Sequence, residues 1–223
     1  MDVAPPDLRN EDNVNRIIAA LPDNQPGIAL DIGANFGKYT DLLVSKFEHV
    51  YAFECDPENM KVLKEKVKHK NVTFIPQAVG IEDNTMIKLY RSNDPGGSST
   101  NEESPRFGGW GHSWDNFVWV PTMKLDTFWN QHGGHPPWEQ TRFIKCDIEG
   151  AENYVFDHAQ MLFQNNKLTM VLECHQPVDF NRLYNLFDNY GYKVYDVDWN
   201  RVTNLRRDCH FIISNEKKAW DVI

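Results

Sequence analysis

The sequence predicts an α/β fold of the Rossmann-like kind, a seven-stranded, mostly parallel sheet with helices on both faces and an inserted hairpin and loop before the fourth strand. Three observations predict it. Strand-length apolar runs alternate with helical patterns, a small-residue turn follows the first run, and an acid closes the second.

The runs Ile28 to Ile32, Val50 to Phe53, Val72 to Ile75, Phe143 to Cys146, Leu168 to Leu172, Lys193 to Val197 and Cys209 to Ser214 read as strands. Between the early ones, Lys38 to Phe47 and Pro57 to His69 carry apolar residues at helical spacing, the second opening with Asp56 as N-cap and Pro57 in the first turn. Such alternation implies parallel strands joined by crossover helices. Asn13 to Leu21 reads as a helix inside an N-terminal helical extension, residues 1–27, that ends at Pro22 to Gly27.

Residues 86–125 break the alternation. Met86 to Tyr90 and Phe117 to Leu125 pair as an expected hairpin, and Ser92 to Asn116 between them is too rich in glycine for a regular element. A long loop in a compact domain tends to be a lid or a binding loop. At 223 residues the chain fits one domain, 1–223, and is compatible with being part of a larger multidomain polypeptide.

Composition narrows the function. A formal net charge of −9 opposes a phosphate backbone, so no nucleic-acid partner is expected. The apolar fraction is 41%, and no uninterrupted apolar run approaches the about 20 residues of a membrane helix. With no signal peptide in Met1 to Asn10, the expected location is cytoplasmic, with no membrane partner. Cys55, Cys146, Cys174 and Cys209 form no C-x-x-C pair and read as small buried hydrophobes.

The segment Asp31-Ile32-Gly33-Ala34-Asn35-Phe36-Gly37-Lys38-Tyr39-Thr40 runs from a buried strand through a tight turn into a helix, which lets a ligand touch backbone. Glu54 at the end of the second strand is placed to take the two hydroxyls of an adenosine ribose. A pyrophosphate cofactor would be repelled by Asp31, whereas the cationic amino-acid portion of S-adenosylmethionine would be attracted. An NAD(P)-dependent sugar-modifying enzyme of the short-chain type would also carry Tyr-x-x-x-Lys, and none of the eight tyrosines has Lys four residues on.

In this pattern the sequence resembles the FkbM family of methyltransferases. The resemblance rests on residues 31–40 just quoted, on Ala-Phe-Glu-Cys-Asp-Pro-Glu-Asn at 52–59, Gly-Gly-Ser-Ser at 96–99, Phe-Ile-Lys-Cys-Asp-Ile-Glu-Gly-Ala-Glu at 143–152 and Leu-Glu-Cys-His at 172–175. Cys55 stands where the family usually has Pro, and Cys146 where Ile or Val is common. The resemblance implies a class I methyltransferase fold whose last strand is antiparallel, S-adenosylmethionine as cofactor, and O-methylation of sugars, polyketide-like products or similar acceptors. A catalytically silent Rossmann-like binding module is the alternative from another class.

Ligands of doubly wound sheets sit beyond the carboxyl ends of the strands. The expected cofactor set is therefore Asp31, Gly33, Ala34, Asn35, Gly37, Tyr39, Thr40, Glu54, Cys55, Gln77 and Ala78, and the expected catalytic set is Asp147, Glu173 and His175. His175 is the first choice of base, with Asp147 as its orienter. Glu149 and Glu152 read instead as acids in the first turn of the next helix. The same carboxylates and imidazole suit a divalent cation, but with no further acid cluster in view no metal is expected.

Five of the seven tryptophans, Trp110, Trp114, Trp119, Trp129 and Trp138, fall in or just after the insertion. Flat aromatic faces beside hydroxyls suit a sugar ring. Ser98, Ser99, Trp110 and Trp114 are the expected acceptor contacts, while Trp119 and Trp129 read as core. A small-molecule or glycan acceptor, a sugar or glycoside, is the expected substrate.

Overall fold

The computed structural model describes residues 10, 12–93, 95–103, 114–131, 138–164 and 167–215. Its elements, in chain order, begin with α1 (Asp12–Ala20), β1 (Gln25–Ile32), α2 (Lys38–Leu43), β2 (Phe47–Phe53), α3 (Pro57–Lys66) and β3 (Val72–Ile75). The insertion contributes β4 (Ala78–Val79), β5 (Met86–Tyr90) and β6 (Phe117–Met123), followed by α4 (Leu125–Gln131). The second half holds β7 (Thr141–Cys146), α5 (Glu152–Phe156), β8 (Thr169–Cys174), α6 (Phe180–Asn189), β9 (Lys193–Tyr195) and β10 (Cys209–Ser214).

The main sheet has seven strands in the order β3-β2-β1-β7-β8-β10-β9. β1, β2, β3, β7 and β8 pair in parallel, and β10 runs antiparallel to both β8 and β9. This is the expected seven-stranded, Rossmann-like class I sheet with its last strand reversed. The chain order switches between β1 and β7, which opens a crevice at their carboxyl ends.

Side chains alternate across each strand, so the sheet buries two apolar faces. On one face Ile28, Leu30 and Ile32 of β1 pack with Phe128 of α4, Phe156 of α5 and Leu183 and Phe187 of α6. On the other, Ala29 packs with Val14, Ile17 and Ile18 of α1 and Leu43 of α2, and Ala52 packs with Met60 and Leu63 of α3. The i, i+3, i+4 spacing of Val14, Ile17 and Ile18 puts all three on the buried side of α1. So α1 covers one face of the sheet, and β1 already begins at Gln25, inside the expected extension.

Local chemistry sets the helix starts. Asp56 accepts a hydrogen bond from the Glu58 amide at 2.9 Å with Pro57 in the first turn of α3, and Asp179 accepts from the Arg182 amide at 3.0 Å at α6. α2 ends at Leu43, short of the expected Phe47, because Phe47 opens β2. The insertion is a three-stranded sheet, with β5 antiparallel and β4 parallel to β6, so the expected hairpin gains a third strand. Its second strand stops at Met123, and Leu125 starts α4. Among the described residues, no helix is long and apolar enough to cross a membrane.

Candidate active site at the carboxyl ends of β1, β2, β7 and β8

A cleft of about 720 Å³ opens at the switch between β1 and β7. That volume lies in the range of small-molecule sites. Gly33, Ala34, Asn35, Tyr39, Glu54, Cys55, Gln77 and Ala78 line one part of it, and Asp147, Glu149, Glu173, His175 and Asp208 line another. Ser98 and its neighbours Gly96, Gly97 and Thr100 reach it from the insertion.

The turn after β1 is built for close approach. Gly33 has φ of +79°, and a Cβ there would collide with the Asp147 backbone carbonyl. The Gly33 and Ala34 amides donate to the Phe53 carbonyl at 3.0 and 2.8 Å, which draws β2 and its acid Glu54 to the turn. Glu54 is only 8% exposed. Its Oε2 accepts from the Asn35 amide at 2.8 Å and its Oε1 from the Asp56 amide at 2.7 Å. Burial, only partly offset by those two bonds, pushes its pKa up to about 7.

Asp31 is placed differently from the expectation. It is fully buried and does not line the cleft. Thr40 Oγ1 donates to its Oδ2 at 2.6 Å, and Lys145 Nζ stands 3.7 Å from its Oδ1. Asp31 and Thr40 therefore support the turn from behind the cleft lining, and Gly37 packs near Leu63 and Val67 of the α3 side. Sequence reasoning passed over Lys145. A lysine inside the apolar run Phe143 to Cys146 must pair when buried, and it donates to the Gly33 carbonyl at 2.8 Å while standing 3.5 Å from Asp147 Oδ2. Burial opposes its charge, but Asp147 and Asp31 outweigh burial and raise its pKa.

At the ends of β7 and β8 the three expected residues do meet. His175 Nε2 lies 3.2 Å from Asp147 Oδ1 and 3.3 Å from Glu173 Oε1, and His210 Nε2 lies 2.9 Å from Glu173 Oε2. On its other side, His175 Nδ1 lies 3.3 Å from Glu149 Oε2 and 3.6 Å from Asp208 Oδ1. Burial alone would lower the His175 pKa, but the hydrogen bond and charge of Asp147, with Glu149 and Glu173, push it up to about 11. The acids on both sides favour the imidazolium, a form with no lone pair with which to accept a proton. Its expected role as first-choice base requires the neutral ring.

Glu149 is the second correction. It precedes α5, which starts at Glu152, and sits at φ of 55° in a turn completed by Gly150 at φ of 97°. The glycine after Glu149 was the signal for a turn rather than a helix. Burial first, then the charge of Asp147, raises the Glu149 pKa to about 8. Glu152 does start the helix, but it is fully buried, and burial raises its pKa to about 7. Atoms of Asp147, Glu149 and His175 lie within 4.8 Å of one another, close enough for a cation to bridge. An ion there would take the two carboxylates and the neutral ring as ligands.

The acceptor contacts divide. Ser98 faces the cleft, whereas Ser99 is 1% exposed and donates through Oγ to the Glu149 carbonyl at 2.6 Å. Trp114 stands outside the cleft lining and packs edge-on against Tyr90, with ring centroids 5.4 Å apart. Trp110 lies outside the described residues. Trp129 is buried as expected, but Trp119 is 53% exposed, because it sits on the face of β6 that carries the exposed Phe117. Arg91, also missed, donates from Nε and Nη2 to both Asp56 oxygens at 2.8 and 2.7 Å and so fastens the insertion to the cap of α3.

This strand-turn-acid cleft agrees with what similarity to known proteins gives. The profile of the FkbM methyltransferase domain matches residues 31–194. The chain belongs to the FkbM methyltransferase domain family. The cofactor of this FkbM domain is S-adenosylmethionine. Methyltransferase FkbM from Methylobacillus flagellatus KT superposes with a TM-score of 0.52 at 16% identity, covering 86% of this chain and 44% of that one. Precorrin-6y C5,15-methyltransferase from Geobacter metallireducens gives 0.50 at 10% identity, covering 95% and 92%. Both likenesses are of fold. A stretch of 85 residues is 33% identical to ribosomal RNA small subunit methyltransferase A of Mycoplasma mobile, covering 36% of this chain. The FkbM domain matches only 33% of the length of that relative, and 23% of its counterpart from Mycoplasma mycoides.

The cleft fits this cofactor on its own chemistry. A nearly buried carboxylate, Glu54, lines a cavity of suitable size together with the Gly33 to Asn35 turn, as binding of two ribose hydroxyls requires.

Proposed function

We propose that this chain transfers the methyl group of S-adenosylmethionine to a hydroxyl oxygen of a small acceptor, a sugar or glycoside. The observation that carries the reading is the cluster of Asp147, Glu149, Glu173 and His175, which shares one cleft with Glu54. A hydroxyl is a weak nucleophile until its proton leaves, so transfer to oxygen calls for titratable groups at the reacting end.

When bound, the cofactor supplies an electrophilic methyl group on a cationic sulfur. Glu54 would hold the ribose hydroxyls, with Cys55, Gln77 and Ala78 beside the base, and the Gly33 to Asn35 turn and Tyr39 would line the rest of the donor. Asp147, the imidazolium of His175 and Glu173 would orient the acceptor and fix the charge at the reacting end. Ser98 would contact the acceptor from the insertion, with the exposed Trp114 and Trp119 on the same three-stranded unit.

The excess of acids lining the cleft and the formal net charge of −9 favour a neutral acceptor over RNA, despite the names of the curated relatives. The test is transfer of labelled methyl from S-adenosylmethionine to methyl glycosides of hexoses and 6-deoxyhexoses, with a ribosomal RNA fragment alongside. Label on a glycoside oxygen supports the reading. Label on the RNA and on none of the glycosides would overturn it.

A further inference from the structure

We propose that Glu149 is the catalytic residue that takes the proton from the acceptor hydroxyl, and that Ser99 and Asn101 of the inserted loop are positioning residues that hold it in place. The inference rests on the methyl-transfer reading above and names a residue that the FkbM motif alone left as a helix-start acid.

Four observations converge on Glu149. Its carboxylate lines the cleft together with Asp147 and Ser98, where the acceptor would lie. Its Oε2 faces His175 Nδ1 at 3.3 Å, so an imidazole nitrogen stands beside it. Its backbone occupies the left-handed region at φ of 55°, which a non-glycine residue adopts only when its surroundings enforce it. Those surroundings are the loop, since Ser99 Oγ donates to the Glu149 carbonyl at 2.6 Å and Asn101 Nδ2 donates to the Gly150 carbonyl at 2.7 Å.

The loop is fixed in turn. Ser99 and Tyr90 exchange backbone hydrogen bonds at 2.8 and 3.0 Å, and the Asn101 amide donates to Ser99 Oγ at 3.1 Å. Ser98 is thus at the cleft while its neighbour grips the carboxylate-bearing turn. A contact with the acceptor on one residue is separated by one peptide unit from the hold on Glu149.

The charge surroundings agree. From β7 and its end come Lys145 and Asp147, from β8 and its end Glu173 and His175, from α5 Glu152, and from the segment before β10 Asp208, with His210 behind Glu173. Burial and the neighbouring acids hold the Glu149 pKa up at about 8, near the pH at which a base is most effective. As the new carbon–oxygen bond forms from the acceptor oxygen's lone pair, the O–H proton passes to a Glu149 oxygen. The bonding pair of the broken carbon–sulfur bond stays on sulfur, and the donor product is neutral there.

The test compares wild type with Glu149→Gln and Ser99→Ala on whichever methyl glycoside accepts label, and adds a readout independent of the acceptor. Wild-type kcat should rise with pH, pass half of its plateau near pH 8 and level off about one pH unit above. E149Q should lower kcat about 100-fold or more and lose that limb, with calorimetric affinity for S-adenosylhomocysteine unchanged. S99A should lower kcat and shift the limb without removing it. In carbon-13 spectra of glutamate-labelled protein, one carboxyl absent from E149Q should titrate near pH 8. Turnover of E149Q within threefold of wild type, or titration of that carboxyl in the ordinary range near 4 to 5, overturns the inference. Donor binding without label on any glycoside sinks the acceptor reading instead, and the spectrum still decides whether Glu149 holds a proton as a base must.

Discussion

Asp147 and His175, placed after adjacent parallel strands, share a hydrogen bond of 3.2 Å that joins the carboxyl ends of β7 and β8 across the floor of the cleft. With Glu149 and Asp208 on the far side of the ring, the imidazole has acids at both nitrogens. Such surroundings favour the charged form of the ring, and burial with the same acids raises the Glu149 pKa.

The donor should stabilise the fold. A ligand held at about 100 times its dissociation constant adds about 2.7 kcal/mol, which for a domain of this size is a melting shift of about 5 to 10 °C. Differential scanning fluorimetry with S-adenosylmethionine and S-adenosylhomocysteine should show the shift, and NADH should not produce it. The reverse ranking would contradict the cofactor site.

Glu54→Gln should weaken S-adenosylhomocysteine binding about 10- to 100-fold, the loss expected of charge-assisted hydrogen bonds worth about 1.5 to 3 kcal/mol. The ribose hydroxyls bind the anion best, and burial raises the Glu54 pKa to about 7, so wild-type affinity should strengthen as pH rises from 6 to 8. In Glu54→Gln that pH dependence should disappear. Calorimetry at three pH values decides both points, and an unchanged affinity would take Glu54 off the ribose.

The strand-turn-helix, Glu54, and the meeting of Asp147, Glu173 and His175 were legible in the sequence because period and strand order fix where strand ends fall. What escaped depends on partners remote in sequence. Lys145 is bonded to Gly33, 112 positions away, and nothing near either residue reports it. The orientation of Ser99 toward Glu149 spans 50 positions in the same way. The full set of acids around His175 could not be read from its own neighbours, since Glu149 and Asp208 come from other segments. Trp119 shows a simpler limit, because alternation along β6 gives two faces without saying which one the core takes.

Lys145→Met should destabilise the protein by about 3 to 5 kcal/mol, since it leaves Asp31 buried without its cation. That corresponds to a fall in melting temperature of about 6 to 20 °C. Adding Asp31→Asn should restore part of the loss, because the uncompensated carboxylate is then gone. Chemical denaturation of the two single variants and the double variant measures the coupling, and strict additivity would show that the two side chains do not act as a pair.

The last prediction concerns stability against pH. The His175 pKa is about 11 in the folded chain, against about 6.5 for a free histidine. The folded state therefore binds the proton more tightly than the unfolded state does. A raised pKa on a base contributes stability that is complete below the unfolded value and is lost as pH rises through the folded one. His175→Gln keeps a polar side chain of similar reach but cannot carry the charge. Its melting temperature should fall furthest below wild type near pH 6, and the gap should narrow steadily towards pH 11. Below pH 5 a second effect enters, because in the variant the acids around position 175 lose their cation and take up protons more readily. Glu149, with a pKa of about 8, also titrates between pH 6 and 11, so the comparison is made in the Glu149→Gln background, where the change across that window reports the ring. A gap independent of pH across that window would mean that His175 is neutral in the folded protein, and the role of proton acceptor would return to the imidazole.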